Sequence, residues 1–388
     1  MLYLSSGRVP VKMWLNEIED VALEQVRNLS QLPFAFKHIV IMPGAHQGFG
    51  MPIGGVLATE DIIIPNAVGV DIGCGMSAVK TSILNITTED LKKIMGEVRK
   101  RIPVGFNKHK DPQEVNLMPL PYINDTPVVA VEFHNSRRSL GTLGGGNHFI
   151  EFQKNEIDGK IWIMIHSGSR NLGKKIADHY NNIAINLNQK WHSSVPKEWQ
   201  LAFLPIYSDE GQTYLDEMNY AVKFAFANRK LMTDRIIESI QEVLQTPIKT
   251  DEMINIAHNY VQLEHHFGKD VWVHRKGATS AKKGEIGIIP GSQGTHSYIV
   301  KGKGNPESFQ SCSHGAGRLL SRTKAQTSLD LAVEIKKLDD QGIVHSIRTI
   351  KDLDEAAGAY KDIQSVMSNQ EDLVEILFQL TPIGSIKG

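Results

Sequence analysis

Val68-Gly69-Val70-Asp71-Ile72-Gly73-Cys74-Gly75 runs directly into Met76–Leu84, a segment with the β-branched run of a buried strand. A tight glycine loop feeding a strand therefore holds a carboxylate and a thiol three residues apart. Cys74 is one of only two cysteines in 388 residues; the other, Cys312, stands two residues before His314. On its own, such a pair reads more often as a turn with a small buried hydrophobe. Four histidines in equally glycine-rich settings reverse those odds. They are His46 in Pro-Gly-Ala-His-Gln-Gly-Phe-Gly, His148 in Gly-Gly-Gly-Asn-His-Phe, His166 in Ile-His-Ser-Gly-Ser-Arg and His314 in Cys-Ser-His-Gly-Ala-Gly-Arg. Motifs spread from residue 46 to residue 314 must converge for the pattern to mean anything. One intertwined α+β domain over residues 1–388, with mixed sheets and flanking helices, is the fold expected.

Working outward, helices are expected at about Met13–Leu29, from the Thr87 cap to about Arg101, and at Asn171–Trp191, Tyr214–Leu244, Lys324–Leu338 and Leu353–Met367. Strands are expected at Phe36–Met42, Val56–Thr59, Phe149–Gln153 and Lys160–Ile165, with Asp158-Gly159 as a hairpin turn, and again between Val271 and Val300. Residues 103–127 read as a connecting loop. A net charge of -1 gives no global signal for a polyanion, so any such partner must use a local patch. Two cysteines cannot build a disulfide framework. Neither a leader peptide nor a stretch of membrane-spanning length is read, and the expected setting is cytoplasmic.

Histidine is the commonest metal ligand near neutral pH. Asp71, Cys74, His148, His166 and His258 are too many donors for one tetrahedral zinc with an open position, and suit two metals sharing the thiolate. His265 and His266 are left outside the site. His314 reads as a nucleophilic imidazole, with Gly315 and Gly317 freeing backbone N–H groups and Arg318 offering a phosphate fork. Ile289–Thr295 is a second small-residue loop that could wrap a nucleotide, though neither loop matches a Walker pattern. Basic residues at 137–138, 170, 174–175, 275–276, 282–283, 301, 303, 318, 322 and 324 suggest a basic rim for a phosphate-rich substrate.

The motifs His46-Gln47-Gly48-x-Gly50-x-Pro52-Ile53-Gly54-Gly55, Val70–Met76, Gly144–Phe149, His166–Arg170, Arg275–Thr279, Pro290–Ser292 and His314–Arg318 together resemble the RtcB-type RNA ligases, in the family's order and over nearly the whole chain. The resemblance implies a mixed-sheet α+β fold, two manganese ions and GTP. It implies joining of an RNA 3′-phosphate or 2′,3′-cyclic phosphate to a 5′-hydroxyl, in RNA repair or tRNA splicing. It leaves room for an archease-like activator and implies no membrane partner. Asp71, Cys74 and His148 would hold one manganese; Cys74, His166 and His258 would hold the other. His314 would take GMP. Asn147, His148, Phe149, Glu151, His258, Asn259, Pro290, Gly291, Ser292, Gln293, Ser297, His314, Gly315, Ala316, Gly317, Tyr360 and Lys387 match positions around the nucleotide.

The chain departs from the family where Pro43-Gly44-Ala45-His46 replaces a Pro-Asp-x-His segment, and it is shorter between Cys74 and His148. Two alternatives follow: a metal-dependent 2′,3′-cyclic phosphodiesterase that does not ligate, and a catalytically silent RNA-end-binding protein.

Overall fold

The computed structural model describes residues 2–120 and 126–388. Two large sheets dominate. The first has six strands in the order Leu2–Leu4, Val11–Met13, Ala35–His46, Ile53–Thr59, Lys269–Lys276 and Asn259–His266. Its pairs are antiparallel except Val11–Met13 with Ala35–His46. The second has seven strands, all antiparallel to their neighbours: Ile254–Ala257, Gly75–Lys80, Ile161–Ser167, Phe149–Asn155, Val374–Lys387, Ser297–Gly302 and Ile286–Ile289.

Alternation along each strand explains why both sheets are covered on two faces. In the first sheet, Ile39 and Ile41 join Val26 and Leu29 of the helix Asp20–Ser30. Their neighbours Val40 and Met42 pack on the other side with Ile363 and Val366. In the second sheet, Ile163 and Ile165 meet Ile94, Met95 and Val98 of the helix Thr88–Arg101, and Met232, Ile236 and Ile240 of the long helix Asp209–Leu244. Trp162 and Met164 face Ile288, Ile299 and Leu380. The two sheets meet end to end at residue 258. His258 joins the edge strand Ile254–Ala257 of one to the edge strand Asn259–His266 of the other.

This is the expected mixed-sheet α+β fold, with local corrections. The first helix starts at Asp20 rather than Met13, because Val11–Met13 finds a parallel partner in Ile39–Ile41. The long helix starts at Asp209, where Ser208 accepts a hydrogen bond from the Gly211 amide. The expected helix Lys324–Leu338 is two, Arg322–Ser328 and Leu331–Asp340, divided where Asp330 caps the second. Leu353–Met367 is mostly 3-10 turns, with an α-helix only at Ile363–Ser368. The strand Gly75–Lys80 ends before Leu84. The expected loop at 103–127 carries a 3-10 turn at Val115–Leu117, and 121–125 lie outside the described residues. The helix Val129–Ser139 and the terminal strand Val374–Lys387 had no sequence expectation. Among the described residues, no helix is long and apolar enough to cross a membrane.

Candidate active site

The Asp71–Cys74 loop is shaped by backbone before any side chain matters. The Cys74 amide donates to the Asp71 carbonyl, and the Gly73 amide donates to the Asn259 carbonyl. Gly73 has φ +76° and lies against the long helix, where a Cβ would come within 2.9 Å of the Val222 Cα. Across from this loop, the His258 amide donates to the Cys74 carbonyl. His166 sits at the end of Ile161–Ser167, directly opposite Met76 and Phe149 in register. His148 closes the glycine loop that leads into Phe149–Asn155.

The donor atoms converge. Cys74 Sγ is 3.4 Å from His148 Nε2 and 3.3 Å from His166 Nε2. His148 Nε2 lies 3.3 Å from Asp71 Oδ2, and His166 Nε2 lies 3.4 Å from His258 Nε2. Cys74, His148 and His166 are buried, with ligand atoms all within 4.8 Å of one another. The second ring nitrogens are anchored: His148 Nδ1 is 3.1 Å from the Leu143 carbonyl and His166 Nδ1 is 2.9 Å from that of Asn147. Arg170 Nη1 also lies 3.2 Å from His148 Nδ1. The tautomer with the proton on Nδ1 turns each Nε2 lone pair inward, the arrangement a divalent metal requires. Burial depresses His166 to about 3 and His258 well below its ordinary value, with neighbouring histidines adding to the effect. Both rings are therefore neutral and able to ligate. Burial and the Asp71 carboxylate push the Cys74 thiol up in the metal-free protein. Burial would also raise Asp71, but bonds to His148 and Cys74 override it and hold the carboxyl at about 2. This soft and hard donor set fits a borderline divalent ion.

His314 follows the short strand Ser311–Ser313, which pairs with Ala278–Ser280. Its ring is 5.0 Å from that of His258 between centroids. Its Nδ1 is buried without a hydrogen-bond partner. Burial, with His46 nearby, outweighs a backbone bond to Gly277 and holds the ring at about 4, so it is a neutral imidazole. The departure at Gly44 has a backbone cause. Gly44 has φ +80°, and a Cβ there would meet the Ala316 carbonyl oxygen at 2.7 Å. A Cβ on Gly317 would meet the Gly44 oxygen at 2.0 Å. The His314 loop thus occupies the space a side chain at 44 would need.

The expected nucleotide positions gather beside His314. The Ala316 amide donates to the Pro290 carbonyl, joining the two small-residue loops. Ser297 Oγ accepts from the Gly291 amide and from Gln153 Nε2, which also donates to Glu151. Burial raises Glu151 to about 8, so it is a protonated carboxyl at neutral pH. Lys387 pairs in register with Phe149 and reaches toward the Gly146 carbonyl. Ser292 turns on Thr295, and Gln293 Nε2 donates to the Glu355 carbonyl. Asn259 donates to the Asp71 carbonyl and accepts from the Gly277 amide.

Glu355 is one residue that sequence reasoning missed. It is buried and receives Arg318 Nη1 at 2.6 Å, Arg322 Nε at 2.7 Å and the Tyr360 hydroxyl. Its only sequence signal was a lone glutamate between alanines and an aspartate. Arg229 was missed as well. Fully buried mid-helix, it donates to the carbonyls of Gly73 and Ser167, bracing the Asp71–Cys74 loop. Not all of the expected basic rim is rim. Arg275 is fully buried and ion-paired to Glu264, and Lys276 is buried with Nζ on the Phe49 and Asn66 carbonyls. His266 belongs to the same structural network, 2.9 Å from Glu264.

Comparison with known proteins agrees with this geometry. The family model described as "tRNA-splicing ligase RtcB" matches residues 25–124 and 119–388. The chain is 39% identical to "RNA-splicing ligase RtcB" of Escherichia coli K12, over 99% of each chain. It is 32% identical to "tRNA-splicing ligase RtcB" of Nanoarchaeum equitans, over 98% of this chain and 95% of the relative. It is also 32% identical to "RNA-splicing ligase RtcB homolog 1" of Entamoeba dispar, over 94% and 82%.

Proposed function

The chain belongs to the RtcB family of RNA ligases, and we propose that, as one catalytic domain over residues 1–388, it joins RNA 3′-phosphate or 2′,3′-cyclic phosphate ends to 5′-hydroxyl ends, using GTP and manganese in a cytoplasmic setting. The observation that carries this reading is a neutral His314 imidazole, its Nδ1 without a partner, edge-on to His258 beside a buried Cys74–His148–His166 group.

Asp71, Cys74 and His148 would hold one manganese, and Cys74, His166 and His258 the second. When bound, the ions supply positive charge beside the triphosphate. His314 attacks the α-phosphorus of GTP: an N–P bond forms, the bond to pyrophosphate breaks, and the ring proton is released. Depression of the ring to about 4 keeps the attacking lone pair available at neutral pH. Glu151, protonated, and Lys387 would grip the guanine nucleotide, while Glu355 holds Tyr360 and Arg318 in place. GMP then passes from His314 to the RNA 3′-phosphate, and the 5′-hydroxyl attacks that phosphorus and expels GMP. A cyclic end is first opened by water.

Gly44 favours one alternative: opening of cyclic ends without ligation, since His314 Nδ1 has no carboxylate to orient it. The test uses two oligonucleotides, one ending in 3′-phosphate and one starting with 5′-hydroxyl. A joined product dependent on both GTP and Mn²⁺ is expected. Turnover of a cyclic end without GTP and without any joined product would select the alternative.

A further inference from the structure

We propose that Phe106 is a stacking platform for a base of single-stranded RNA entering the site, with Lys108 and Lys110 holding its phosphates. This rests on the ligase reading above. Phe106 is wholly exposed, more so than any other large apolar side chain among the described residues. A single exposed apolar residue needs no explanation by itself. Its position supplies one. The backbone before it is bonded to the loop that carries His148: the Leu143 amide donates to the Pro103 carbonyl, and the Gly105 amide donates to the Gly144 carbonyl at 2.8 Å. The Leu143 carbonyl in turn lies 3.1 Å from His148 Nδ1. Phe106 is therefore the first residue to leave a rail laid along the metal-binding loop.

The segment after it is fixed on the protein rather than loose. The His109 amide donates to the Arg138 carbonyl, Arg138 Nε donates to the His109 carbonyl, and Arg137 Nε donates to that of Gln113. Arg235 meets His109 Nε2 at 2.8 Å. Between Val104 and Lys110 there is no acidic residue, and Lys108 and Lys110 are both exposed. An exposed aromatic ring on a tethered backbone, with cations a few residues away, matches what single-stranded nucleic acid asks of a protein. Stacking takes any base, and the lysines follow the backbone. An apolar protein partner would not account for the cations.

The experiment measures binding of a fluorescent single-stranded RNA ending in 3′-phosphate to the full chain, by anisotropy across a salt series. Phe106→Ala is expected to weaken binding roughly 5- to 100-fold, with Phe106→Trp restoring it and Phe106→Leu failing to. Lys108→Ala with Lys110→Ala is expected to flatten the dependence of log K on log salt by about 1.4. Thermal melting of each variant checks folding. Wild-type affinity in Phe106→Ala, or full rescue by Phe106→Leu, overturns the platform while leaving the ligase reading intact. A wild-type protein that neither binds this RNA nor joins ends overturns the ligase reading and the platform with it.

Discussion

The ring of His314 stands edge-on to the ring of His258, with centroids 5.0 Å apart and planes at 74°. A residue whose Nδ1 has no partner is thus held against one proposed to hold the second metal. His258→Ala should then affect both metal and nucleophile. The concentration of Mn²⁺ giving half-maximal ligation should rise by at least about tenfold. An unchanged manganese titration would remove His258 from the cluster.

Cys74 makes a sharper demand on the metal. Burial and Asp71 raise the thiol in the metal-free protein, so it is protonated at neutral pH and must lose that proton to become a ligand. Metal binding should release about one proton and tighten as pH rises. Calorimetric titration with Mn²⁺ in two buffers of different ionisation enthalpy measures this directly. Cys74→Ala should abolish the released proton. Equal apparent enthalpies in both buffers would show that the thiol takes no part.

Gly44 invites an obvious repair, and the structure predicts that it fails. Gly44→Asp places a side chain at φ +80° and drives its Cβ to 2.7 Å from the Ala316 oxygen. The variant should lose at least about 1 kcal/mol of stability and displace the His314 loop rather than orient its ring. Chemical denaturation and labelling with GTP check the two halves. A Gly44→Asp variant as stable as wild type and faster in labelling would contradict the packing argument.

Away from the site, Glu264 receives two bonds from the fully buried Arg275, at 2.7 and 3.0 Å. Burial alone would raise Glu264, but Arg275 with His266 holds it at about 2. A folded pKa below the unfolded one means stability present above about pH 4.5 and lost as pH falls toward 2. Glu264→Gln should therefore cost on the order of 3 kcal/mol at pH 7, and much less near pH 2. Urea unfolding at several pH values measures it. A cost independent of pH would mean that the pair contributes by packing rather than by charge.

Cys74, His148 and His166, which the fold brings together, were legible as candidates because each lies in a glycine-rich motif, whereas His258 in Ile-Ala-His-Asn-Tyr has no such setting. The strands Ala35–His46 and Ile161–Ser167 were expected at Phe36–Met42 and Lys160–Ile165, from the apolar runs at 39–42 and 161–165 that form their centres. What was not legible depends on partners far away in sequence. Val11–Met13 is a strand only because Ile39–Ile41 lies beside it. Glu355 acquires its role only when residues 318, 322 and 360 fold around it. Arg275 and Lys276 looked like surface charge, but a buried carboxylate and two carbonyls were waiting for them.

The most direct test of the central claim is to incubate the purified protein with α-³²P-GTP and Mn²⁺, then run a denaturing gel with acid and alkali treatment. An acid-labile, alkali-resistant label that is absent from a folded His314→Ala variant is the predicted result. Label retained in His314→Ala, or no label on wild-type protein that is folded and carries its metal, would contradict transfer of GMP through His314.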